Sequence, residues 1–245
     1  MNTTLNQPTV ISSANEPQWL LDRRTSGSQN YSNLPVPAAK DENWRFASVL
    51  SQDIHAFKLA PMPNDDAIQH ALSHSTLVED PIAEFIFVDD HLVQSKPLSK
   101  ELVDKGVCFV SIDEAIQKHS DLLEPHFLKE STRLGSQKYF GLHASAVKAG
   151  ALLYVPKGVE IDKPIAVYHW SNQDKGLICP HTLIIAEAQT KVSLIDVLAS
   201  TTEENQGCNI SVSNIEAHPS ANVYRKVIQN FNSSTLSFQL DSATA

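Results

Sequence analysis

The chain has 245 residues, with 28 acidic and 19 basic side chains and a formal net charge of −9. That length allows one large domain or two modest ones, each with its own core and no need of a disulfide or metal staple. The acidic balance and the lack of a long basic block count against a nucleic-acid binder, which needs clustered Lys and Arg for phosphates.

The first residues, MNTTLNQPTVISSANEP, carry neither the charged start and apolar centre of a secretory signal nor the arginines of a transit peptide. No apolar run approaches the ~20 residues of a membrane helix. The reading is a cytoplasmic protein with no membrane partner. EPQWLLDRRTSGSQNYSNL then predicts a helix, with Trp19, Leu20 and Arg23 at helical spacing and Leu34 closing it before Pro35. LPVPAAKD is an extended linker, because each proline disfavours helix in the residue before it. AEFIFVDDHLVQ predicts a hairpin that turns at Asp89-Asp90. GVCFV is a strand in which Cys108 is expected to act as a small buried hydrophobe.

Ser111-x-x-Glu114 is a capping box that opens the next helix, SIDEAIQKH. SDLLEPHFLKEST predicts another, with Ser120 as cap, Leu122, Leu123 and Phe127 as its apolar face, and Pro125 in its first turn. SQKYFGLHASAVKAG is expected to be helical up to Gly150.

Charged residues thin out near residue 139, and from Gly150 the hydrophobic period changes to two. Two regions follow from this: 1–138, α+β, and 139–245, mainly β. The predicted strands of the second region are ALLYV, PIAVYHW, HTLIIAE, KVSLIDVL, CNISVSNIEA, ANVYRKVIQN and STLSFQL. Their corners fall at Pro156 with Gly158, at 174–176, at Ala188-Gln189, in TTEENQG, at His218-Pro219 and at 232–234. Short, regular strands of this kind suit a sandwich, a barrel or a β-helix. The recurring strand–acid–Ala–corner pattern favours a solenoid. With only 8 glycines in the chain, a hexapeptide solenoid is unsupported.

Three passages resemble the SufB/SufD family, on its SufD side. They are LPVPAAKDENWRF (Leu34 to Phe46), GVCFVSIDEAIQKH, and KYFGLHASAVKAGALLYVPKGVEIDKPI. The resemblance implies an N-terminal helical region, a right-handed parallel β-helix core and a C-terminal helical region; joined to the reading of the residues, the expected fold is an α+β N-terminal region followed by a single-stranded β-solenoid. It implies a non-enzymatic scaffold that works with SufB and the ATPase SufC to build iron–sulfur clusters, with no cofactor held stably by this segment. Three positions depart from the family's pattern: His143 stands for Asn, Asp196 for Glu, and His181 for Arg in a Pro-Arg-Thr strand start. The chain is expected to be incomplete at its C-terminus, since the family continues with more coils. The residues credited with cluster formation and the SufC-binding part lie in that continuation.

The residues themselves offer little chemistry. In YVPKGV, Lys157 precedes Gly158 and a strand follows, which is the wrong order for a phosphate-binding loop. This segment is a corner instead, with Pro156 fixing φ, Gly158 allowing positive φ and Lys157 in water. The three cysteines, Cys108, Cys179 and Cys208, have no metal-finger spacing and read as free thiols. Cys179 and His181 sit at i, i+2 and can share a strand face, so they are the candidate metal ligands, though two are too few for a site. His143, His169 and His218 are scattered. A β-helix enzyme acting on polysaccharide needs clustered carboxylates with Arg or Lys. Here Glu160 with Asp162 and Glu203 with Glu204 read as solvated pairs, and Arg225 is the only arginine after residue 139. No GxSxG elbow is present. A stand-alone β-solenoid interaction domain is the other alternative. Trp19 and Trp44 are expected to anchor the N-terminal region.

Overall fold

A computed structural model describes residues 16–38, 40–45, 54–129 and 136–245. Most of the N-terminal stretch, Ala39 and Phe46 of the proline-rich passage, and Glu130, Ser131 and Thr132 at the end of the Ser120 segment lie outside them. The expected first helix forms as α1 (Gln18–Asn33), and the chain leaves it extended through Leu34. A single 3-10 turn follows at Glu42–Trp44 and another at Ile54–Ala56. Then come β1 (Lys58–Leu59) and α2 (Asp65–His74), whose Asn64 side chain accepts from the Ala67 amide as an N-cap.

β2 (Ala83–Val88) and β3 (His91–Lys96) form the predicted antiparallel hairpin. Asp89 and Asp90 both have positive φ, 49° and 63°, the handedness that a two-residue hairpin loop requires. α3 (Lys100–Asp104), β4 (Cys108–Ser111) and α4 (Ile112–Lys118) follow. Ser111 caps α4 as its sequence predicts, accepting from the Glu114 amide. In β4 it is Phe109 that is buried, while Cys108 is only half-buried on the opposite face, so the cysteine is less enclosed than expected.

α5 (Ser120–Leu123) differs from its expectation. His119 occupies the cap, and Ser120 Oγ instead accepts from Trp19 Nε1 at 3.0 Å, tying α5 to α1. Pro125 lies just beyond the helix rather than in its first turn. α6 (Gln137–Ala146) stops three residues earlier than predicted, because Val147 is already extended, and Gly150 opens the next strand.

From there the chain coils through β5 (Gly150–Val155), β6 (Ile165–Ser171), β7 (Gly176–Ile178), β8 (His181–Ala186), β9 (Lys191–Ser200), β10 (Gly207–Ala217), β11 (Asn222–Asn230) and β12 (Leu236–Thr244). In the first sheet Gly150, His181 and Val212 stand opposite one another in parallel rungs, and Val212 in turn faces Leu240. In the second, Ile165 faces Leu194 and Ile195 faces Lys226. The repeat is about 30 residues per coil, and the parallel β-solenoid makes about three turns. β7 and β8 are one strand broken at Cys179-Pro180, and both halves pair with β10. The sequence reading puts a corner at 174–176 and begins the next strand at His181, so it misses β7.

Strands from both sides of residue 139 share both sheets. β2 supplies a parallel rung beside β6, while β3 and β4 close the first coil antiparallel. Three apolar layers result. Ala151, Leu153, Val155, Ile165, Val167 and Leu194 fill the solenoid. Leu152, Leu183, Ile185 and Val212, on the outer face of the first sheet, pack under helices with Leu142 and Tyr31. Tyr168, Trp170 and Val197, on the outer face of the second, pack with Ala67 and Ala71 of α2. β6 and β8 are therefore buried on both faces, whereas half-buried and exposed residues alternate in β11.

α1 and α6 cross at two glycines. A Cβ on Gly141 would lie 2.6 Å from the Gly27 carbonyl oxygen, and one on Gly27 would lie 2.8 Å from the Gly141 oxygen. Trp44 leans on Tyr139 of α6 with ring centroids 5.4 Å apart, so both tryptophans anchor the N-terminal region as expected. Among the described residues, no helix is long and apolar enough to cross a membrane.

Candidate functional site

The break at Pro180 turns Cys179 and His181 onto the outer face of the first sheet, beneath α6. Both are fully buried. His143 comes down from α6 and meets His181, with Nε2 to Nδ1 at 3.1 Å. The other nitrogen of His143, Nδ1, lies 2.7 Å from the Ile210 carbonyl and donates to it. His143 Nε2 is therefore the acceptor, and His181 Nδ1 donates. Phe127 packs against the His181 ring at 4.5 Å between centroids.

Burial drives the titration of this pair. It pulls His143 down to about 4, opposed by the Ile210 carbonyl and helped by the Arg24 cation. His181 is held well below the ordinary histidine range by burial, then by repulsion from His143, with Asn214 opposing. Both rings are neutral at physiological pH. Arg24 is itself buried and makes a two-pronged pair with Glu16, at 3.0 and 3.1 Å.

The thiols in this layer are held in the protonated form. Burial, then the nearby Asp90 and Cys208, raises Cys179 well above the ordinary thiol value, and burial pushes Cys208 up to about 12. In the absence of a metal ion, a protonated, enclosed thiol is a poor nucleophile. Asp90, from the hairpin turn, accepts from the Cys179 amide at 2.6 Å, and burial raises its carboxyl to about 7. The sequence marks Asp90 only as a turn residue. Its reach across to the start of the broken strand needs the fold.

A second polar group lies inside the solenoid. Arg225 of β11 donates through Nε to Asp196 of β9 at 2.7 Å and through Nη1 to Asp241 of β12 at 2.8 Å. Thr182 of β8 donates to Asp196 and Ser213 of β10 donates to Asp241. Asp196 is buried; desolvation raises its carboxyl, and Arg225 pulls it back. The arginine missing from a catalytic inventory is a strut between the two sheets. His169 stacks on Phe87 at 4.9 Å, with both ring nitrogens unpartnered, and burial lowers it to about 3.

The other candidates stand apart. Lys157 and Gly158 are exposed at the first corner, where Gly158 has φ +75° and its amide donates to the Ala188 carbonyl of the next coil. Glu160, Asp162, Glu203 and Glu204 are exposed, as expected for solvated pairs. Cys179 and His181 do share one layer, but the imidazole engages His143. Among the described residues, no three His, Cys, Asp or Glu side chains are grouped so as to hold a metal ion. His143, His181, Asp196 and Arg225 are thus engaged with other groups of the chain, while both nitrogens of His169 are unpartnered.

Comparison with known proteins is consistent with such a construction. The family model for the SufBD protein N-terminal region matches residues 5–167. The iron–sulfur cluster assembly protein SufD of Bacillus subtilis is 29% identical over 227 residues, covering 91% of this chain and 51% of its own length. An iron–sulfur cluster assembly SufBD family protein of Staphylococcus saprophyticus is 23% identical, covering 88% of this chain and 48% of its own. A similar protein of Staphylococcus aureus is 24% identical over 228 residues. The chain spans about half the length of these curated relatives.

Proposed function

The chain belongs to the SufBD family, and from that premise we propose that it serves as a SufD-like scaffold subunit in iron–sulfur cluster assembly. Its partners in this proposal are a SufB-like subunit and a SufC-like ABC ATPase, and its setting is the cytoplasm. The cluster is cargo of the assembled complex, and no cofactor is assigned to this segment. The observation that carries the reading is the family match, which runs from the N-terminal region into the second sheet at β6.

The chemistry supports a non-catalytic role. The buried thiols are protonated and the imidazoles of the His143–His181 pair neutral, while the interior carboxylates are spent on Arg225. A stacked parallel solenoid gives a stiff body, as an assembly platform requires.

The test is recovery of the tagged full reading frame from its own cells. A SufB-like protein and an ABC ATPase are expected in fixed ratio with it. Deletion of the gene is expected to lower the activity of iron–sulfur enzymes while their polypeptide levels hold. Recovery of neither partner, together with unchanged iron–sulfur enzyme activity, would overturn the proposal.

A further inference from the structure

The end of α1 leaves a cavity. Pro35 disfavours helix at Leu34, and the chain departs extended there, with φ −77° and ψ 140°. Between this stretch and the start of α6 lies a cavity of about 300 Å³, whose lining includes Tyr31, Asn33, Leu34, Pro35, Val36 and Lys138. That is the small end of the range for ligand sites. Tyr31 is a fixed wall, because its hydroxyl lies 3.3 Å from His55 Nδ1. Val36, 53% exposed, stands at the mouth.

Lys138 brings a cation to this cavity while being only 7% exposed. Its ammonium donates to the carbonyls of Tyr31 and Leu34, the latter at 2.8 Å, and lies 4.5 Å from the centre of the Tyr31 ring. Among the described residues no carboxylate pairs with it, and the first turn of α6, where it sits, has no acidic side chain. The carbonyl end of α1 supplies about half a negative charge. The remainder of the cation is uncompensated, and a buried charge needs a partner. An ammonium has three protons, and the two carbonyls take two of them. Asn33, exposed on the same cavity, adds a side-chain amide.

We propose that this cavity binds a small organic carboxylate. The carboxylate meets the Lys138 ammonium and the Asn33 amide, and charge-assisted hydrogen bonds offset the residual positive charge. Leu34, Pro35 and Val36 offer an apolar wall to a short hydrocarbon or aromatic body. The ligand exchanges through the mouth at Val36. The site is built from α1, α6 and the segment between them in space, and it does not depend on the scaffold reading.

Sodium benzoate is the probe. In calorimetry at low salt the 245-residue chain is expected to bind one benzoate saturably, and benzamide, its neutral counterpart, roughly tenfold more weakly. Inorganic phosphate, which lacks the apolar body, should bind more weakly than benzoate. Lys138→Met also removes the bonds that hold the end of α1, so the decisive variants are at exposed Val36. Val36→Glu places a like charge at the mouth, and Val36→Lys an opposite one. Their benzoate affinities should differ by about threefold or more in favour of the lysine variant, with far-ultraviolet circular dichroism unchanged. No saturable benzoate binding, benzamide or phosphate bound as tightly as benzoate, or equal affinities in the two Val36 variants would overturn the site.

Discussion

His143 Nε2 lies 3.1 Å from His181 Nδ1, which joins two histidines 38 residues apart in the chain. Together they form a buried, neutral imidazole pair between α6 and the first sheet. Its neutrality has a sign that can be measured. An unfolded histidine titrates near 6.5, whereas His143 does so at about 4. Between those values the unfolded chain binds more protons, so this contribution to stability is present above pH 6.5 and is lost as pH falls towards 4. The window is worth on the order of 3 kcal/mol. In urea titrations across that range, His143→Gln should show a shallower pH dependence than the parent. Parallel curves would refute it.

Asp90 titrates in the opposite sense. Its carboxyl is raised from 3.8 to about 7, so its contribution is present at low pH and is lost as pH rises through 7. Asp90→Asn keeps an oxygen to accept from the Cys179 amide and removes the cost of ionisation. The variant should gain stability relative to the parent as pH rises from 4 to 8. A difference that stays constant with pH would rule this out.

Arg225 joins β9, β11 and β12, and its side chain and that of Asp196 are almost fully enclosed. Arg225→Met leaves the Asp196 carboxylate buried and unpaired, a loss of about 3–5 kcal/mol. Asp241 is half-exposed, so Asp241→Asn should cost less than about 1 kcal/mol. Arg225→Met with Asp196→Leu should recover much of the first loss, because replacing both partners of a buried pair is tolerated. Denaturant midpoints for the three variants check the order. An Arg225→Met variant no weaker than Asp241→Asn would contradict it.

Two glycines separate packing from backbone conformation. Gly141 faces the α1 backbone with no room for a methyl group, so Gly141→Ala must push the helices apart and lower the melting temperature. Gly158 has open space but positive φ, so Gly158→Val should cost about 1–2 kcal/mol through backbone strain. Gly158→Asn should cost less, since Asn tolerates that region. Equal losses for Val and Asn at 158 would sink the conformational account.

Much of the fold was legible because its signals are local. The Asp89-Asp90 turn, the Ser111 cap and every long strand of the solenoid follow from neighbours a few residues apart. α2 was overlooked, although Asn64 before two aspartates is a start signal. The Ser120 cap failed because Trp19, a hundred residues away, takes the hydroxyl.

By itself, the sequence determined the α+β start, the solenoid of the second half and the family motifs, because turn chemistry and hydrophobic period act over one coil or less. Only the tertiary structure decided what its polar residues do. His143 meets His181, Asp90 caps Cys179, and Arg225 spans the sheets: coiling brings Arg225 to Asp196, 29 residues away, while a helix and a hairpin turn bring His143 and Asp90 to partners 38 and 89 residues away. Burial then sets their charge, and no local pattern in the chain records how deeply a side chain will be buried.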